Sequence, residues 1–128
     1  MKYVKMEIFI PRTHLPALQK ALQVVDAGHI GNYDSCLAYS PVMGTWRTLA
    51  GAEPYEGEVG EITEAEELKV EVRVEERRIG ETMRAIRKIH PYETPVVFVL
   101  PLLDGTAFDE YFGYNFFADC VIMISIYT

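Results

Sequence analysis

Reactive side chains are scarce in this sequence. Its 128 residues hold two cysteines, Cys36 and Cys120, three histidines and one tryptophan. The cysteines lack the close spacing of a metal-binding pair, so both are read as reduced thiols. No two histidines share the spacing of a helical metal pair, which argues against a histidine-built hydrolase centre. Basic charge is also limited: 12 Lys and Arg against 19 Asp and Glu leave a net charge of -7, and Arg77-Arg78 is the longest basic run. A phosphate backbone would be repelled, so no nucleic-acid partner is expected. Long hydrophobic runs are missing as well. The longest charge-free apolar stretch, Cys120 to Thr128, is about half of what a bilayer crossing needs, so no membrane partner is expected. Met1 to Lys5 lead directly into a strand pattern with no apolar signal core or small-residue cleavage site, the pattern of a cytoplasmic protein. The glycines form neither a phosphate loop nor a dinucleotide fingerprint.

What is present is a well-patterned globular chain, 49% hydrophobic and 24% charged, of a size that implies one domain. Val4, Met6, Ile8 and Ile10 alternate with Lys5, Glu7 and Phe9, the period of a half-buried strand. Pro11 ends it. Leu15, Leu18, Leu22 and Val25 then recur at helical spacing, with Thr13 placed to cap the helix and Gly28 to close it in a left-handed conformation. The pattern repeats: Leu68, Val70, Val72 and Val74 alternate with charged residues, and Ile79, Met83, Ile86 and Ile89 form one helical stripe. The two units superimpose at an offset of 64 residues, Met6 on Val70, Ile8 on Val72 and Leu22 on Ile86. Further strands are expected at Tyr33 to Tyr39 and Val96 to Leu100. Strand-helix-strand twice over predicts an α+β, ferredoxin-like fold, a four-stranded antiparallel sheet with two helices on one face.

Two segments fall outside the duplication. Pro41 to Glu67, glycine-rich and acidic with Trp46-Arg47 near its start, reads as a long arm between strands 2 and 3. Residues 103–128 read as a C-terminal extension of a domain spanning residues 1–102. Its charge-free Val121 to Ile126 has strong strand propensity and nothing to protect it in water, so an extra strand covered within the domain or across a subunit boundary is expected, and with it a homo-oligomer.

Candidate chemistry concentrates in His90-Pro91-Tyr92-Glu93-Thr94-Pro95. Proline forces the second helix to stop. Structurally, His90 can meet helix-end carbonyl groups, Tyr92 can rest on the sheet and Glu93 can pair with Arg73 or a neighbouring subunit. Functionally, His90 and Glu93 can ligate a divalent cation, or the turn can bind a small molecule through Tyr92. Cys36 with Asp34 and His29 resembles a nucleophile with partners, but nothing there lowers the thiol pKa, and a buried strand cysteine is the better reading. Trp46 with Arg47 can recognise a planar or anionic ligand, or can anchor the arm to another subunit. His14 reads as a solvated surface residue.

Gly28 to Cys36, Gly44-Thr45-Trp46-Arg47, Gly51-Ala52-Glu53-Pro54, Gly57-Glu58-Val59-Gly60 and His90-Pro91-Tyr92-Glu93 occur here in the order found in the domain inserted into NIF-three-like proteins, also called GTP cyclohydrolase type-two homologues. The chain resembles that domain and the stand-alone YqfO-type proteins from about Lys5 to Leu102, and its His-Pro-Tyr-Glu turn is similar to one in CutA. The resemblance implies a trimeric PII-like or CutA-like ferredoxin fold. It brings no activity, because the family's dinuclear metal site lies in flanking domains. Trp46, Thr48 and Thr94 depart from the family pattern, the last at a position where a second glutamate is usual.

Together these readings point to a non-catalytic oligomeric module binding a small ligand or divalent metal between subunits. His90 and Glu93 are the candidate metal ligands, and Tyr92, Arg47 and Cys36 the candidate ligand-binding residues. A small metal-assisted hydrolase and a purely structural interaction module are the alternatives.

Overall fold

In the computed structural model of the protein, which describes residues 2–106, four strands and two helices follow the order β1 (Tyr3–Ile10), α1 (Leu15–Val24), β2 (Leu37–Arg47), β3 (Ile62–Glu75), α2 (Ile79–Ile89) and β4 (Val97–Leu102). The sheet order is β2-β3-β1-β4, and every neighbouring pair is antiparallel. This is the ferredoxin-like α+β arrangement expected from the repeat. Each helix is entered through a 3-10 turn, Arg12–His14 and Glu76–Arg78, so turns and helix starts alike recur 64 residues apart. The buried helix positions recur too: Leu18 and Leu22 in α1 correspond to Thr82 and Ile86 in α2.

Alternation separates the two faces of the sheet. Val4, Met6, Ile8 and Ile10 stand opposite Val74, Val72, Val70 and Leu68 in the β1-β3 register, and with Leu18, Leu22 and Ile86 they make the core between sheet and helices. Strand residues of the other parity face away from the helices. There Glu7 lies 3.2 Å from both Lys5 and Lys69, and Lys5 reaches Glu71 at 2.8 Å, an ion ladder across β1 and β3.

Several local expectations are corrected. Thr13 falls inside the 3-10 turn, and α1 starts without a side-chain cap. Because α1 ends at Val24, Gly28 is no helix cap. Its φ of +79° instead lets the chain pass β3, where an added Cβ would come within 2.9 Å of the Cys36 carbonyl oxygen and 3.2 Å of Val72 Cγ2. About half of the arm is strand, since β2 runs on to Arg47 and β3 begins at Ile62, leaving residues 48–61 as loop. Pro41 does not stop β2 because β2 is an edge strand, where a missing N–H need not cost a ladder bond. β4 begins one residue later than expected and extends to Leu102. The expected strand at Val121 to Ile126 and Cys120 lie outside the described residues. Among the described residues, no helix is long and apolar enough to cross a membrane.

Candidate functional site

Helix α2 stops where the sequence predicts. The His90 N–H donates to the Ile86 carbonyl at 3.0 Å, while His90 itself turns extended, with ψ 130°, as a residue before proline prefers. Its imidazole then turns back into the protein. Nε2 donates to the Phe9 carbonyl at 2.6 Å, and Nδ1 accepts the Tyr92 backbone N–H at 3.1 Å. These two bonds define the neutral tautomer with its proton on Nε2. The ring thus joins the end of β1, rather than its own helix, to the turn.

Burial, with His90 only 7% exposed, disfavours the imidazolium and holds the pKa below 6.5, although the bond to Phe9 acts the other way. A histidine whose folded pKa is depressed supports the fold above its unfolded pKa, and that support is lost as pH falls from about 6.5 through the folded value. His90→Asn should therefore show a smaller fall in urea stability than the parent across that window, with His14 and His29 common to both proteins. A pH-independent stability difference would contradict a buried neutral imidazole.

Beyond His90, Tyr92 forms one wall of a cavity of about 590 Å³ at the end of the sheet, between this turn, the end of β2 and the arm loop. Its ring centroid lies 5.8 Å from that of Trp46 and 5.8 Å from that of Tyr55. Trp46 Nε1–H donates to the Glu56 carbonyl at 3.2 Å, and the Glu53 N–H donates to the Glu93 carboxylate at 3.1 Å, so indole and turn both hold the arm loop down. Glu67 lies at the floor, only 6% exposed. The register of β2 on β3 sets Val42 opposite Glu67 and Gly44 opposite Ala65. Gly44 admits the Glu67 carboxylate where any Cβ would overlap it. The Tyr92 hydroxyl hydrogen-bonds Glu67, and its pKa rises well above 10 through burial first and then through the charge and hydrogen bond of Glu67.

Of the residues singled out from sequence, Arg47, Tyr92 and Glu93 line this cavity. His90 stands behind Tyr92, ring centroids 4.9 Å apart. Glu93 does not pair with Arg73, which bonds Asp104 and the His29 carbonyl instead. Both His90 nitrogens are engaged, and among the described residues no group of three or more His, Cys, Asp or Glu side chains gathers as a metal site. Cys36 is not a buried strand residue. It is partly exposed and precedes β2, whose 11 residues put it about 35 Å from Arg47. His14, expected in solvent, is partly covered, its ring edge-on to Tyr55 with centroids 6.2 Å apart. Glu67, Tyr55 and Thr48 were not anticipated. The Glu66-Glu67 pair implies only that two adjacent acids in an alternating strand face opposite sides, which does not single out Glu67, and no local signal marks Tyr55 or Thr48.

The sequence profile of the family described as CutA1 divalent ion tolerance protein matches residues 55–114. A GTP cyclohydrolase 1 type 2 homolog of Halalkalibacterium halodurans is 39% identical over 98 residues, 77% of this chain and 26% of that protein. The chain thus spans about a quarter of the length of the curated relatives it matches. Among solved structures, the Bacillus cereus protein related to NIF3 superimposes with a TM-score of 0.70 at 31% identity, over 80% of this chain and 26% of that one. The PII-like protein CutA from Nostoc sp. PCC 7120 does so at 0.59 and 20% identity, over 87% and 89%. The resemblance drawn from the motifs is therefore found both in sequence and in fold.

Proposed function

On the premise that the chain is similar to the CutA-like, PII-like part of NIF3-related proteins, we propose that it is a non-catalytic homotrimeric module that binds a small ligand in clefts between its subunits. The cavity carries the ligand-binding part of this reading. Its walls are largely aromatic and aliphatic with a few converging polar groups, the usual make-up of a small-ligand site. Tyr92 and Arg47 contact the ligand, and Cys36 enters such a site only from a second copy.

Assembly is supported by the sheet edges. Phe98 and Leu100 of β4 and Tyr39 and Met43 of β2 are exposed, and edge strands of this kind call for cover. The divalent-ion description of the matching family supports a cation as the second class of ligand. For that, His90 would have to release one of its two ring hydrogen bonds, whereas Glu93 could ligate through the oxygen other than the Oε2 that accepts the Glu53 N–H.

Trp46, the only tryptophan, reports on the cavity directly. The expected results are a sedimentation mass of three chains, and a Trp46 fluorescence response to at least one member of a panel of cationic, neutral and anionic aromatic compounds and divalent metals. Tyr92→Ala should weaken that response without changing the mass. A monomer, or silence across the whole panel, would overturn the reading.

A further inference from the structure

The floor and walls of the cavity differ in kind. Glu67 is a buried carboxylate; among the described residues the Tyr92 hydroxyl hydrogen-bonds it, and a carboxylate has about four acceptor positions. The walls are the rings of Trp46, Tyr55 and Tyr92, whose faces carry negative charge density. Among the lining residues there are three carboxylates, Glu56, Glu67 and Glu93, and one cation, Arg47. Arg47 is exposed and screened by water, whereas the floor carboxylate is not. Thr48, 5% exposed, also lines the cavity, and its buried Oγ1 has no hydrogen-bond partner among the described residues.

We propose that the cavity selects an organic cation, an alkyl or aryl ammonium, seated on the rings of Trp46, Tyr55 and Tyr92 with its nitrogen directed at Glu67. The proposal rests on the ligand-binding reading above and names the ligand class. A hydrated metal ion fits less well, because it exchanges its water for several oxygen or nitrogen donors, and no such group gathers among the described residues. An organic cation needs no such set, since aromatic faces replace its water. An anion would meet the field of Glu67 and Glu56, the same field that helps hold the Tyr92 phenol protonated once burial has acted.

The test titrates the full chain with phenyltrimethylammonium, its neutral isostere tert-butylbenzene, and benzoate, following Trp46 fluorescence. The cation should bind at least tenfold more tightly than either of the others. Glu67→Gln, which keeps the shape of the floor, should weaken the cation roughly tenfold and leave the neutral isostere unchanged, the scale expected for losing one buried charge partner. Glu56→Gln, on the rim, should weaken it by a smaller factor, and it keeps the test decisive if the floor variant misfolds. Equal binding of the neutral isostere, tighter binding of benzoate, or loss of cation affinity in neither variant would overturn the cation assignment and leave the ligand-binding reading standing. Silence toward these probes and toward the wider panel would end both.

Discussion

Ile8→Ala is expected to lower the unfolding free energy by about 3 to 4 kcal/mol. Ile8 is fully buried in β1, opposite Val70 on one side and Val97 on the other, so the strand that carries it is held on both edges. Removing three carbon atoms forfeits their transfer from water and leaves a void that a strand paired on both sides cannot close by shifting. Ile8→Val removes one methylene at the same place and should cost about 1 kcal/mol. Urea unfolding at a fixed protein concentration measures both, since stability coupled to assembly varies with concentration. A loss for Ile8→Ala no larger than that for Ile8→Val would mean that the site collapses or that the core is less well packed than the burial of its neighbours implies.

Arg73→Met should cost about 3 kcal/mol for a different reason. The Arg73 side chain, 12% exposed, lies 2.6 Å from Asp104, which is 7% exposed. It also donates to the His29 carbonyl at 3.1 Å and lies 4.0 Å above the Tyr3 ring. One guanidinium therefore ties together β3, the connection after α1, the N-terminal strand and the segment after β4. Methionine keeps part of the packing over Tyr3 and removes the charge, so Asp104 is left buried without its counter-ion. In the native protein, burial alone would raise the Asp104 carboxyl, but hydrogen bonds from Arg73 and Thr106 outweigh it and hold the pKa below 3.8. A carboxylate with a depressed folded pKa contributes stability above its unfolded pKa and loses it as pH falls through the folded value. The gap between Arg73→Met and the parent should accordingly be full at neutral pH and narrow as pH falls toward and below 3.8. Adding Asp104→Leu to Arg73→Met should recover part of the loss. If the double variant is less stable than the single one by the full effect of a second independent mutation, the two residues do not act as a pair.

The core is legible in the sequence alone. Val4 to Ile10 and Leu68 to Val74 alternate because each strand is covered by helices on one face only, and the stripes of α1 and α2 recur for the same reason. Their 64-residue offset reappears in the 3-10 turns and in the buried pairs Leu18 with Leu22 and Thr82 with Ile86. The stop at His90-Pro91 was equally legible, because proline acts on the residue beside it. The arm was misread for a physical reason. Pro41 and Gly44 are strand breakers by local preference, yet β2 is held by eleven residues paired in register with β3, and that pairing overrides preference.

The site divides along the same line. Tyr92, Glu93 and Arg47 could be picked out because they sit in or beside conspicuous turn and aromatic motifs. The destination of the His90 ring could not, because its partner Phe9 lies 81 residues away. Nor could Glu67, one acid among several in the sequence. What the sequence by itself determined is the duplicated fold and the place where its second helix must end, since periodicity and proline stereochemistry act within a few residues. Only the tertiary structure decided that the turn's histidine faces inward, and that a carboxylate lies beneath three aromatic rings. Those features depend on strand register and on one glycine set beside one glutamate, 23 residues apart in the chain and in contact in the fold.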